Sequence, residues 1–124
     1  MSVVDSETKL AGKRVLVVED ESLVSMMLED YLEELGCVLA GSAARLPSAQ
    51  DAARALTFDV AVLDVNLDGQ ESFSVADILT RRNIPFVFST GYGGGGLPDR
   101  LKGKPVLQKP FLQADLARVL SRVL

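Results

Sequence analysis

Histidine and tryptophan are absent from the 124 residues, and cysteine occurs once, at Cys37. Without histidine, Ser-His-Asp and Cys-His catalysis, histidine metal sites and a histidine phosphodonor are excluded. One thiol excludes an intrachain disulfide and any CxxC site, and it fits a reducing compartment. A metal site would have to be built from carboxylates and other oxygens, which suits Mg²⁺, Ca²⁺ or Mn²⁺. Long hydrophobic runs are missing too. No stretch approaches the ~20 apolar residues of a membrane helix. The opening MSVVDSETKLAG carries Asp5 and Glu7 and has no apolar run fit for a signal peptide. A cytoplasmic protein with no membrane partner is the expectation.

What is present describes one ordinary globule: 48% hydrophobic and 24% charged residues over a single-domain length. The net charge of −4 hides an asymmetry, because residues 1–80 carry 15 acids and 5 bases while residues 81–124 carry 2 acids and 8 bases. The acidic total argues against nucleic acid as a partner. Glycine is uneven as well, with six of the ten between Gly91 and Gly103.

No repeat runs along the chain. Short apolar runs alternate with amphipathic stretches. Val15-Leu16-Val17-Val18 and Val60-Ala61-Val62-Leu63 read as strands covered on both faces. Val38 to Ala43 reads as a weaker strand at an edge, Phe86-Val87-Phe88 as a fourth strand and Val106-Leu107 as a short fifth. A helical pattern opens at Glu21-Ser22, with Leu23, Met27, Tyr31 and Leu35 on one stripe joined by Val24, Leu28 and Leu32, and Gly36 is its stop. Pro47 suits the first turn of a second helix with Ala49, Ala52, Ala53 and Leu56 inward. After a polar loop, Phe73, Ala76 and Leu79 mark a third helix ending near Arg82-Asn83, and Leu112, Leu116, Val119, Leu120 and Val123 mark the last. Such alternation implies a parallel sheet with helices on both faces, and ligands bound beyond the carboxyl ends of its strands.

Those ends carry chemistry. The first strand runs into Glu19-Asp20-Glu21, the third into Asp64, the fourth into Ser89-Thr90 and the fifth into Gln108-Lys109-Pro110. If the first and third strands are neighbours, Glu19, Asp20 and Asp64 converge, and like charges so close need neutralising. Mg²⁺ does this with few protein oxygens and keeps waters that a phosphate can replace. Lys109 adds a positive point charge and Thr90 a hydroxyl, a set that suits a dianionic phosphoryl group. Each piece alone reads as a solvated loop acid, a cap or a turn. Glu21 is read that way and assigned no chemistry. The ordered set is what carries weight.

The pieces VLVVEDE (15–21), VAVLDVN (60–66), PFVFSTGY (85–92) and QKPF (108–111) resemble the receiver domain of two-component response regulators. The resemblance spans residues 14–124, leaving 1–12 as an N-terminal extension and 13–124 as the receiver domain. The Phe-Ser-Thr-Gly-Tyr string is similar to the Phe-Ala-Thr-Gly-Gly/Tyr subgroup, which includes stand-alone receivers. The implied fold is α/β, flavodoxin-like (CheY-like), a doubly wound five-stranded parallel sheet of order 2-1-3-4-5. The resemblance implies that Asp64 is the phosphoacceptor, taking a phosphoryl group from the phosphohistidine of a sensor histidine kinase. Asp20 and Asp64 would bind Mg²⁺, Glu19 through a water, and Asn66 through its backbone carbonyl. Thr90 would be the switch hydroxyl and Lys109 would pair with the phosphoryl group. Asn66 and Tyr92 hold the positions that tune hydrolysis, and the Lys109–Pro110 peptide would be cis. No enzyme is implied beyond self-catalysed aspartyl phosphorylation and dephosphorylation. Output would be by protein–protein contact, since 124 residues leave no room for an output domain; a homodimer is compatible with it.

Three departures stand against the family pattern. Val106 occupies the place of an aromatic residue that swings inward when the switch hydroxyl moves. The loop after Asp64, Val65-Asn66-Leu67-Asp68-Gly69, lacks the common Met-Pro, although Gly69 can supply a tight bend. Between the fourth and fifth strands, GYGGGGLPDRLKGKP replaces a helix: glycines 93–96 and Pro98 leave room for one turn, from about Asp99 to Lys102. The helix there is expected to be missing or poorly formed. A phosphorylation-independent interaction module and a phosphate sink for a kinase are the alternatives these departures keep open. An aspartyl-phosphate phosphatase fits less well, because Asn66 stands where its general acid would be.

Overall fold

The computed structural model describes residues 9–91 and 96–124. Five parallel strands make the central sheet: β1 (Arg14–Val18), β2 (Val38–Ala43), β3 (Val60–Asp64), β4 (Phe86–Thr90) and β5 (Val106–Gln108). Their spatial order is β2-β1-β3-β4-β5, the order that the receiver-domain resemblance implies. Four helices connect or follow them: α1 (Ser22–Glu34), α2 (Leu46–Ala55), α3 (Phe73–Arg81) and α4 (Gln113–Val123).

The period of two along each strand divides the core into two layers. Val15, Val17, Val60, Val62, Val87 and Leu107 pack with Leu28 and Leu32 of α1 and with Leu116 and Leu120 of α4. Leu16, Val18, Ala61, Leu63, Phe86 and Phe88 face the other way, onto Ala49 and Ala53 of α2 and Val75 and Leu79 of α3. With both faces covered, β3 is buried at all five positions, which is why its sequence is a continuous apolar run rather than an alternating one. Leu10 is fully buried in the first layer.

The helix ends follow from local chemistry. Gly36 (φ +84°) closes α1: its N–H donates to the Glu33 carbonyl and the next, of Cys37, to the Leu32 carbonyl. This is the Schellman arrangement, which needs a left-handed residue at that point. Asn83 (φ +58°) ends α3 in the same way, through Asn83 N–H to Thr80 and Ile84 N–H to Leu79.

The structure departs from the sequence reading in three places. Leu23 and Leu112, assigned to inner helix faces, are exposed by 81% and 69%. Leu23 belongs to the first turn of α1 and Leu112 is the residue before α4, so both sit at helix ends and neither joins a core layer. The polar loop after β3 contains a small antiparallel hairpin, Asn66–Leu67 with Gln70–Glu71. Its turn residues Asp68 and Gly69 both have positive φ, 51° and 87°. Asp-Gly is the preferred pair for such a two-residue turn, a signal legible in the sequence. Between β4 and β5, the only helical structure among the described residues is a 3₁₀ turn, Asp99–Leu101. The expected single turn is there. Gly93 to Gly95, on which the exclusion of a longer helix also rests, lie outside the described residues.

Candidate functional site

The order of strands places the chemistry. β1 and β3 are neighbours, paired Val18 with Leu63, so Glu19 and Asp64 leave the sheet side by side. β4 pairs Ser89 with Asp64, and the Lys109 N–H extends the β4–β5 ladder by donating to the Thr90 carbonyl at 2.8 Å. The Lys109–Pro110 peptide is cis.

Lys109 Nζ is the hub. It lies 2.7 Å from Glu19 Oε1, 3.1 Å from Asp64 Oδ2 and 3.8 Å from Glu21 Oε1. Both Glu19 and Asp64 are buried. Around this hub backbone N–H groups hold the acids in place. Glu21 N–H donates to Glu19 Oε2, Asn66 N–H to Asp64 Oδ1 and Asp68 N–H to Asp20 Oδ2, at 3.1, 3.2 and 3.0 Å. The hairpin turn therefore fixes Asp20, and the Asn66 side chain stabilises the turn by accepting from Gly69 N–H at 2.7 Å.

Electrostatics follow the burial. Desolvation pushes the Glu19 carboxyl up to about 7, against the lowering pull of Lys109. Burial likewise raises Asp64, with Glu19 and Lys109 opposing it. Asp20 goes the other way: burial would raise it, but hydrogen bonding with Asp64 and from Asp68 N–H holds it below the usual carboxylate range. Burial would lower Lys109, yet Glu19 and Asp64 hold its ammonium above the ordinary lysine value.

Carboxylate oxygens of Glu19, Asp20 and Glu21 lie within 4.8 Å of one another. Glu21, read from the sequence as a bystander, thus joins this acid group. Glu19 Oε1 is a buried oxygen whose contact is the Lys109 ammonium, at 2.7 Å. An all-oxygen, net-negative set fits a hard divalent cation. Ser72 went unremarked in the sequence. It is fully buried, and its hydroxyl donates to the Asp64 carbonyl at 2.6 Å. A serine just before the apolar pattern of α3 would read as a helix cap, but the side chain makes no capping hydrogen bond and serves Asp64 instead. Thr90 ends β4 and is buried. Tyr92, expected to tune hydrolysis, lies outside the described residues.

A doubly wound parallel sheet binds ligands beyond the carboxyl ends of its strands, and the acid–lysine cluster of this α/β domain sits there. The finer assignment comes from comparison. The family model described as response regulator receiver domain matches residues 15–121, and the chain belongs to that family. It works within two-component signalling, as response regulators do. Among curated proteins it is 31% identical over 108 residues to the transcriptional regulatory protein PdtaR of Mycobacterium tuberculosis, covering 84% of this chain and 53% of PdtaR. The chain thus spans about half the length of that relative. Among solved structures, SdrG of Sphingomonas melonis Fr1 is 39% identical with a TM-score of 0.81, covering 99% of this chain and 98% of SdrG. The receiver domain of the sensor histidine kinase PA1611 from Pseudomonas aeruginosa PAO1, with a magnesium ion coordinated in its active-site cleft, is 27% identical with a TM-score of 0.76, over 91% of this chain and 98% of that one.

Proposed function

We propose that the chain accepts a phosphoryl group on Asp64 from the phosphohistidine of a sensor kinase, in a Mg²⁺-dependent reaction, and signals by contact with another protein. The observation that carries this reading is the placement of one buried carboxylate, Asp64, 3.1 Å from the Lys109 ammonium at the carboxyl edge of the sheet. An Asp64 carboxylate oxygen forms the new O–P bond while the histidine P–N bond breaks. Lys109 offsets the negative charge that arrives, which requires its Nζ to exchange carboxylate contacts for phosphoryl oxygens. Thr90 supplies a hydroxyl for another phosphoryl oxygen. Asp20 and Asp64 would hold the metal, with Glu19 acting through a water and the Asn66 carbonyl as a further ligand. The magnesium in the cleft of the PA1611 receiver supports this choice of ion. The ion supplies charge neutralisation among the acids and the incoming phosphoryl group.

The test is labelling by acetyl phosphate with Mg²⁺. The wild-type chain should incorporate one phosphoryl group and Asp64→Asn none; undiminished labelling of the variant would overturn the assignment. A second reading, an interaction module indifferent to phosphorylation, draws on Val106, which has no ring to relay a movement of Thr90. Addition of beryllofluoride and Mg²⁺ distinguishes the two: NMR shifts around residues 64, 90 and 96–104 belong to the switch, and their absence to the module.

A further inference from the structure

Ser89 has a buried hydroxyl that the fold does not use. The residue is 1% exposed, and its Oγ has no hydrogen-bond partner. A hydroxyl taken out of water without a partner is destabilising. Its place in the sheet makes the omission informative. Ser89 pairs with Asp64 on β3 and with Leu107 on β5. Val62, Val87 and Leu107 all belong to the layer under α1 and α4, so by the strand period of two Asp64 and Ser89 lie on that same face. Glu19, two residues after Val17 of the same layer, completes the row. One line across the sheet thus reads Glu19, Asp64, Ser89, with Lys109 Nζ lying against the first two. Within this row, Ser89 Oγ alone among the side-chain oxygens has neither a hydrogen bond nor an ion pair.

The Lys109 ammonium has three N–H donors, and two carboxylate oxygens lie within 3.1 Å of it. We infer that Ser89 is a positioning residue for the site: its hydroxyl accepts from the Lys109 ammonium as that group moves from the carboxylates to an arriving phosphoryl group. A serine hydroxyl is suited to this, because it rotates between staggered wells and adds no charge. In this account the hydroxyl is left unpaired in the resting site so that it is free in the charged one. The inference rests on the proposed phosphoacceptor role of Asp64.

The experiment compares wild type, Ser89→Ala and Ser89→Thr in three measurements: rate of labelling by acetyl phosphate with Mg²⁺, affinity for beryllofluoride by NMR titration, and melting temperature. Loss of a hydrogen bond to a charged group predicts labelling about tenfold slower in Ser89→Ala, and weaker beryllofluoride binding by a similar factor. Its melting temperature should be unchanged or higher, because an unpaired buried hydroxyl has been removed. Ser89→Thr, which keeps the hydroxyl on a strand-compatible side chain, should recover most of the rate. A wild-type rate in Ser89→Ala overturns the inference and leaves the Asp64 reading intact. Equal slowing in both variants also overturns it, in favour of a packing effect. A wild-type chain that takes no label overturns the Asp64 reading and this inference together.

Discussion

Lys109 is the residue on which the site's charge balance turns. Two buried carboxylates, Glu19 and Asp64, share its ammonium, and neither pairs with another basic group among the described residues. Removing one member of a buried ion pair leaves uncompensated charge, at a cost of about 3 kcal/mol. Lys109→Met keeps the apolar stem and deletes the charge. Its urea-unfolding free energy should fall by about that amount, and an unchanged midpoint would show that the acids do not depend on the lysine. Val106 makes the opposite point. It packs half-buried against the layer that contains Phe86, Phe88 and Leu101, so this position contributes packing but has no ring to swing.

At the scale of elements, two short pieces are fixed by specific contacts. At the site, the Asp68-Gly69 hairpin turn directs a backbone N–H at Asp20. Away from it, the 3₁₀ turn that stands in place of a helix is tied down twice. Leu101 is buried in the α2–α3 layer, and Arg100 forms a two-pronged contact with Asp77 of α3, Nε to Oδ1 and Nη2 to Oδ2, both 3.0 Å. Lys104 lies over the Phe86 ring, 5.3 Å from its centroid. The Arg100 hydrogen bonds hold the Asp77 carboxyl below its ordinary value. A carboxyl depressed in the folded state stabilises the fold above its unfolded pKa, about 3.9. That contribution disappears as pH falls through the lower folded value. Both partners are partly exposed, so the effect is local and modest. Amide exchange at Leu101 and Lys102, corrected for intrinsic rates, should therefore speed up as the solution is acidified below that window. Asp77→Asn should show the faster exchange already at neutral pH. Exchange that ignores both changes would remove the contact from the account of this segment.

For the whole molecule, the acids are brought together at one edge of the sheet only by folding, so a bound cation acts on the native state alone. Mg²⁺ should raise the melting temperature by mass action, by an amount equivalent to about 2.7 kcal/mol at a hundredfold excess over its dissociation constant. Asp20→Asn should remove most of that gain, and a melting temperature indifferent to millimolar Mg²⁺ would count against the metal site. Among the described residues no helix is long and apolar enough to cross a membrane, in keeping with the lack of a long apolar run.

The sequence by itself determined the element order, the buried character of β1 and β3, and the set Glu19, Asp20, Asp64, Thr90 and Lys109. Period, strand length and strand-end residues are local properties that the chain carries in order. It also held the Asp68-Gly69 hairpin signal, of which only the bend at Gly69 was read. The tertiary structure alone decided the register of neighbouring strands, and hence that Glu19, Asp64 and Ser89 form one row with Lys109 beside them. It also brought Glu21 to the acids and exposed Leu23 and Leu112. Those facts depend on contacts between residues tens of positions apart, and neither periodicity nor spacing encodes them. The absence of histidine had confined any metal chemistry to oxygen; the fold placed those oxygens around one lysine.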